Sequence, residues 1–344
     1  MRKIFLLLIG INLLLSCQKD NLFNEDCQLE TEVTVPEGFE INSINTISGE
    51  VHFKEIQFIN DKVGYILGAS DIGGYTEIFK TNDIGNIWTD LDLSLNKTPI
   101  NMFFINEDTG FVSYYGLKGN LYKTIDGGSR WNEKSYQNLN GNLYHIQKDR
   151  ENNLYAILSD SETFTVLVKS IDNAESWQII NDSKEFDFRY ITFSFKLFED
   201  KIYISGKNNK IIVTDLNGNQ IQVIHTGQPY IWDFDVIDYS RLVLVGSDKV
   251  IKSSDGGLNW STICDKRAKI IDFENSESGL FIYSKSNCPV DYRHSNGVIA
   301  YTNDEGKSWI ESQESTNIIT SIRKFLNQSY KASTSHYTRS LGSI

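Results

Sequence analysis

Hydroxyl and carboxylate side chains two residues apart recur five times in this chain. The copies are KTNDIGNIW (80–88), KTIDGGSRW (123–131), KSIDNAESW (169–177), KSSDGGLNW (252–260) and YTNDEGKSW (301–309). Their repeated members are Thr81, Asp83, Gly85 and Trp88, then Thr124, Asp126, Gly128 and Trp131, then Ser170, Asp172 and Trp177. Ser253, Asp255, Gly257 and Trp260 follow, and Thr302, Asp304, Gly306 and Trp309 end the series. Carboxylates could serve glycoside hydrolysis, which needs two of them at a set separation. The 45 acidic residues single out no such pair. An Asp two residues after a hydroxyl has a nearer use: it accepts hydrogen bonds from backbone N–H groups of its own turn. The Gly admits positive φ where the chain reverses, and the Trp packs its indole on the turn and the neighbouring sheet. The motif reads as a hairpin staple. Ala174 stands in the Gly position of the third copy, so that turn is expected to be built differently.

Other catalytic constellations fail on spacing. His52, His145, His225, His294 and His336 are scattered without metal-ligand intervals. The Gly pairs lack the downstream Lys of a phosphate loop and open no helix. No Gly-x-Ser-x-Gly elbow and no EF-hand ligand run occurs. No metal and no cofactor is expected. A formal net charge of −12 argues against nucleic acid as a partner.

The elements that position these turns follow from their period. Asp83, Asp126 and Asp172 are 43 and 46 residues apart, and Asp255 and Asp304 are 49 apart. The 83-residue gap between Asp172 and Asp255 holds a worn copy, VTDLNGNQI (213–221), with Asp215 but no Trp. A fixed period of roughly 40 to 50 residues signals a solenoid or propeller. A second phrase precedes the staples in IQFINDKVGYILG (56–68), MFFINEDTGFVSY (102–114) and IDFENSESGLFIY (271–283). Worn versions are LFEDKIYISG (197–206) and VIDYSRLVLVG (236–246). Each unit therefore reads strand, turn, strand, loop, strand, staple, strand, which is a four-stranded propeller blade.

The expected fold is all-β, a single β-propeller. Six units fill about residues 50–311. ITSIRKF (319–325) and SYKASTS (329–335) look like the first two strands of a seventh, RSLGSI (339–344) its third, and TEVTVPE (31–37) its fourth. Pairing the N- and C-terminal strands would close the ring and remove exposed edges. Seven blades is the expectation, and six with loose ends the alternative.

The Ser/Thr-x-Asp-x-Gly-x-x-Trp motif resembles the Asp-box, or bacterial neuraminidase repeat. Together with the preceding phrase it resembles the photosystem II assembly-factor propellers, over about residues 30–344. What that resemblance implies is a fold and a mode of action, a rigid disc that holds another protein. It does not bring photosystem assembly with it, since a fold hosts many activities.

The first residues read as an export signal. Arg2 and Lys3 precede the apolar run Ile4 to Leu15, and Leu14-Leu15-Ser16-Cys17 resembles a bacterial lipobox. The run is too short to span a bilayer. Residues 1–16 would be the signal peptide, 17–28 the lipidated Cys17 with a flexible tether, and 29–344 the propeller. An ordinary cleaved signal with a coincidental Cys is the competing reading. Gln18 after the cysteine favours the outer membrane, facing the periplasm or the cell surface. Lys19-Asp20 resembles the surface-export signals of Bacteroidetes lipoproteins. Contact with membrane is expected through the lipid anchor alone. Loss of Arg2 and Lys3 takes the net charge to about −14.

Once Cys17 is acylated, Cys27, Cys264 and Cys288 remain, an odd count for an oxidising compartment. In a propeller the connections carrying Cys264 and Cys288 emerge on one face, so a disulfide between them is expected to pin the insertion 284–297.

The Asp-box resemblance invites a sialidase reading, which fails. Sialidases grip a carboxylate with three arginines, the first ahead of the first box. Here only Arg2 precedes Asp83, and Phe188-Arg189-Tyr190 follows the third box. Asp-box xyloglucan hydrolases use two propellers, and this chain has room for one. No enzyme is expected. A binding module uses the face where first strands begin. Alignment of the units puts Lys54, Tyr144, Trp232 and Lys269 at that mouth, with His52, Tyr230 and Arg267 beside them. Arg189 and Tyr190 start the fourth inner strand nearby, and Tyr292 and Arg293 sit on the insertion above the same face. Aromatic and basic groups converging there suit a segment of a membrane or exported protein, the expected partner, or a glycan. A glycan-binding surface lipoprotein and a sialidase-like hydrolase are the alternatives to a protein-binding scaffold. Trp232 could equally be core at a blade junction.

Overall fold

The computed structural model describes residues 51–335 apart from 61, 71–75, 84, 86, 92–96, 117, 161–164, 182–193, 206–208, 247–248, 274, 285–296, 312–317 and 326–328. The first blade holds β1 (Val51–Phe58), β2 (Gly64–Ser70), β3 (Thr76–Thr81) and β4 (Thr89–Asp90). The second holds β5 (Pro99–Phe104), β6 (Gly110–Tyr114), β7 (Leu121–Thr124) and β8 (Asn132–Lys134). The third holds β9 (Asn142–Lys148), β10 (Leu154–Ser159), β11 (Thr165–Ser170) and β12 (Gln178–Asn181). The fourth holds β13 (Phe195–Phe198), β14 (Lys201–Ser205), β15 (Lys210–Asp215) and β16 (Gln220–His225). The fifth holds β17 (Ile231–Val236), β18 (Leu242–Gly246), β19 (Val250–Ser253) and β20 (Ser261–Cys264). The sixth holds β21 (Ala268–Phe273), β22 (Gly279–Ser284), β23 (Gly297–Thr302) and β24 (Ile310–Glu311). A hairpin of β25 (Ile318–Phe325) and β26 (Ser329–Ser335) ends the described chain. Each of the six blades is an antiparallel meander in chain order, and the described residues contain no helix.

First strands neighbour one another around the axis: β1 lies beside β5, β5 beside β9, β9 beside β13, β13 beside β17, and β17 beside β21. The β25–β26 hairpin fills the remaining place, with β25 against both β21 and β1. The described residues thus form six complete four-stranded blades, where seven were expected. Among the described residues the seventh position carries two strands; the segments assigned to its outer half, 31–37 and 339–344, lie outside them.

The core lies between blades. Second strands such as β10 are buried at every position, because successive side chains point to opposite faces and each face meets a neighbouring blade. Leu154, Ala156 and Leu158 pack toward the second blade with Phe111 and Leu121, and Tyr155 and Ile157 toward the fourth with Ile202 and Ile212. Fourth strands are exposed, as in β8 and β4.

The motif copies share one turn. In the second, Thr124 Oγ1 donates to Asp126 Oδ1 at 2.9 Å, Gly128 N donates to Thr124 Oγ1 at 2.9 Å, and Arg130 N donates to Asp126 Oδ1 at 2.9 Å. The third copy repeats this with Ser170, Asp172 and Ser176, and the fifth and sixth blades with Asp255 and Asp304. Asp215 builds the worn turn by accepting from Asn217 N and Asn219 N. The Ala174 turn is not built differently. Ala174 takes φ 60°, and its N–H bonds Ser170 Oγ at 2.9 Å just as a glycine's does elsewhere. The strain of a left-handed alanine is offset locally: its methyl is fully buried and its carbonyl accepts from the Tyr136 hydroxyl.

The second phrase and the staple form one packed unit. Phe58, Phe104 and Phe273 sit directly opposite Gly64, Gly110 and Gly279 across the first hairpin. Each ring lies over its glycine, and a Cβ on Gly64 would come within 2.7 Å of Phe58. The staple indoles of the same blades meet those rings edge-on: Phe58–Trp88 at 6.1 Å, Phe104–Trp131 at 6.0 Å and Phe273–Trp309 at 6.5 Å.

Candidate binding face

The mouth residues are placed by a repeated irregularity in the first strands. β1, β5, β17, β21 and β25 each insert one residue near their start: Lys54, Ile100, Trp232, Lys269 and Thr320. β9 shifts register at His145, which takes φ 55°. Such bulges bend the strand and re-aim a side chain.

The residue after the bulge explains its recurrence. First strands of adjacent blades do not pair by backbone ladders, so side chains bridge them. Glu55 Oε2 accepts from Asn101 Nδ2 at 2.8 Å and from Met102 N at 2.9 Å, and Asn101 Oδ1 accepts from Ile146 N at 2.9 Å. On the far side Ser194 Oγ donates to Asp233 Oδ1 at 2.6 Å, and Asp233 Oδ2 accepts from Ile271 N at 3.2 Å. Counted from these bridges, Tyr144 is the third-blade equivalent of Lys54, Trp232 and Lys269. The four residues aligned from sequence therefore share one structural position. Ile100 shares it too; the bridging residues carry no signal in their type.

Ile100 and Tyr144 are half-buried, Tyr144 against the core between the third and fourth blades, whereas the other aligned residues are exposed. Trp232 is 44% exposed and Tyr230 50%, and Lys54, Arg267 and Lys269 are exposed as well. Trp232 is thus not a core residue at a blade junction. Lys54 Nζ donates to the Pro99 carbonyl of the next blade at 2.8 Å. Lys54 and Lys269 are exposed, yet surrounding strands strip enough water to lower both ammonium pKa values. Tyr115 meets Tyr144 edge-to-face at 6.4 Å, and burial, then the Tyr144 phenol, raise its pKa.

Arg189, Tyr190, Tyr292 and Arg293 lie outside the described residues, as do Cys17 and Cys288. Cys264 is buried at the end of β20 and is disulfide-bonded, its partner lying outside the described residues.

Acid–base chemistry finds little support on this face. Asp233 spends its oxygens on Ser194, Phe234 N and Ile271 N. The motif carboxylates are engaged by their own turns. Among the described residues no three His, Cys, Asp or Glu side chains gather as metal ligands. What the mouth offers is cationic and aromatic surface on an acidic protein.

Comparison with known proteins supports the fold. No family model matches the chain, and no curated protein matches it. Among solved structures it is similar to YCF48 bound to D1 peptide, with a TM-score of 0.52 and 16% identity over 69% of this chain and 77% of that one. A catalytically inactive virginiamycin B lyase from Staphylococcus aureus with quinupristin gives 0.62 and 11%, covering 86% and 96%. The computationally designed Ika8 protein gives 0.53 and 9%, covering 79% and 78%. At such identities the likeness establishes a β-propeller and nothing finer.

Proposed function

We propose that this chain is a non-catalytic binding propeller whose channel mouth holds a segment of a membrane or exported protein. The observation that carries this is the exposed set Lys54, Tyr230, Trp232, Arg267 and Lys269 on one mouth. Exposed aromatics beside cations bind extended polypeptide through stacking and charge. YCF48, which has the same fold, is known in a complex with a D1 peptide, and that supports a peptide over a sugar here.

Cys17 carries the lipid anchor in this reading, and residues 18–28 tether the disc to the outer membrane. The β25–β26 hairpin is the inner half of a seventh blade, completed by 339–344 and 31–37. Its place between β21 and β1 supports that completion. Cys264 pairs with Cys288 across the mouth face.

Affinity capture from native outer membranes tests the function, with wild type compared to the Trp232→Ala, Arg267→Ala variant. A membrane or exported protein recovered by wild type and lost by the variant is the expected result. Equal recovery by both would remove the site. Recovery of no protein, with binding on a glycan array, would replace the reading by glycan capture.

A further inference from the structure

We propose that the face of the disc carrying the motif turns rests on the lipid bilayer, so that the Trp232 mouth points away from the membrane. This rests on the anchoring and ring-closure reading above. Two independent features converge on it.

The first is the path of the chain. β3 repeats the direction of β1, so the first hairpin turn and the motif turn of each blade share a face. Their contacts record this: Gly127 N donates to the Asp108 carbonyl at 2.8 Å, and Gly256 N to the Ser240 carbonyl at 2.7 Å. A fourth strand begins at that face and ends at the mouth face, where it leads into the next first strand. On the ring-closure reading residues 31–37 are the fourth strand of the seventh blade and would enter from the motif face, so the tether that precedes them, with Cys17 at its end, would leave the disc on that side.

The second is where apolar side chains project. Ile87, Ile125, Ile171 and Leu258 are 68%, 67%, 76% and 78% exposed, and no other large hydrophobic among the described residues exceeds 51%. All four sit on motif turns, in the first, second, third and fifth blades. Aliphatic tips on separate blades but a single face match a plane and not a groove. The neighbouring Asp126, Asp172 and Asp255 are exposed, and each carboxylate is held within its own loop by accepting from Arg130 N, Ser176 N and Asn259 N. On the anchoring reading the acyl chains on Cys17 attach the protein to the bilayer, and the exposed tips add apolar contact that sets this face of the disc against it.

The test uses full-length lipidated protein in phosphatidylethanolamine vesicles containing a minor share of phosphatidylglycerol. A genetically encoded environment-sensitive fluorescent amino acid replaces Ile171, Leu258 or, on the mouth face, Tyr230. The expected result is a blue shift at 171 and 258, with quenching by brominated acyl chains, and neither effect at 230. Quenching at 230 would invert the orientation. Flotation with the vesicles but no quenching at any position would overturn the docking alone, since the disc would then hang free on its tether. Failure to float would overturn the anchoring reading together with this one.

Discussion

Lys123 Nζ donates to the backbone carbonyl of Asn173 at 2.7 Å, joining the third strand of the second blade to the motif turn of the third. Lys80 reaches the Gly127 carbonyl, Lys169 that of Leu216 and Lys252 that of Glu305, each in the next blade at the residue after the motif Asp. Where the fourth blade has Val213 instead, Gln222 Nε2 takes the Gly256 carbonyl at 3.0 Å. The last copy has Tyr301 at this position. The lysine is an inter-blade clamp.

Lys123→Met is therefore expected to destabilise the fold by about 1–3 kcal/mol, because it strands a carbonyl and leaves Glu175, held at 2.6 Å, without this partner. Arg150→Ala removes an ion pair whose arginine is 81% exposed, and should lose less than about 1 kcal/mol. Urea denaturation of both variants checks the contrast. Equal losses would mean that the clamp is a surface ion pair like any other.

Gly110 is constrained by register, since the Phe104 ring opposite it occupies the space a Cβ would need. Gly110→Ala should cost about 1–3 kcal/mol through overpacking. Phe104 would have to shift against Trp131, so a change in tryptophan emission is expected alongside. An unaltered spectrum with full stability would show that the ring moves freely.

The staples were legible in the sequence because their chemistry closes within the turn: each hydrogen bond among hydroxyl, carboxylate and N–H groups spans at most four residues. The recurring Gly of the second phrase was visible, but its reason was not, since Phe104 covers Gly110 only once the strands are in register. The clamp stood as a column of lysines at the head of four copies, with its meaning in the next repeat. The bridges of Glu55, Asn101 and Asp233 were invisible, because their side-chain types differ and their partners are backbone groups of the adjacent blade. The shared position of Lys54, Trp232 and Lys269 was legible because alignment on the first strands is alignment on the bulge.

Equivalent turn positions should answer unequally to exchange. Gly257 has φ 88°, and a Cβ there would overlap Ile224. Gly257→Ala should lose about 1–2 kcal/mol to the left-handed backbone, with overpacking adding to it. Ala174→Gly relieves similar strain, but it forfeits a buried methyl worth about 0.8 kcal/mol and frees the unfolded chain by about 0.4–1 kcal/mol. Its net effect should lie within about 1 kcal/mol of zero. Thermal melts of the two variants decide whether local packing sets the choice of residue.

Acid should loosen the ring through the motif turns. A backbone hydrogen bond from Arg130 lowers the Asp126 pKa, and one from Asn259 lowers that of Asp255. For Asp172 and Asp304 burial pushes upward, but the hydrogen bonds led by Ser176 and Ser308 outweigh it. A carboxylate depressed in the folded state stabilises fully above its unfolded pKa of about 3.9, and that share is lost as pH falls through the folded value. Stability from these groups should be level between neutral pH and about 5 and decline below about 4. Asp255→Asn should flatten that acid limb, and an unchanged limb in urea titrations across pH would show that other carboxylates govern it.

Trp232 offers a readout of the mouth itself. It is 44% exposed and lies on β17, beside the strand that carries Lys269 and follows Arg267. Iodide should be drawn to that cationic setting and caesium repelled, so iodide is expected to quench the exposed emission more strongly at equal ionic strength. Trp232→Ala should remove the iodide-sensitive fraction, while Arg267→Ala narrows the gap between the two ions. Surface substitutions of this kind shift stability by no more than about 0.5 kcal/mol, so the melting temperature should hold. Equal quenching by both ions would mean that the cations do not act together at the indole, and the mouth would then lack the charge its proposed partner needs.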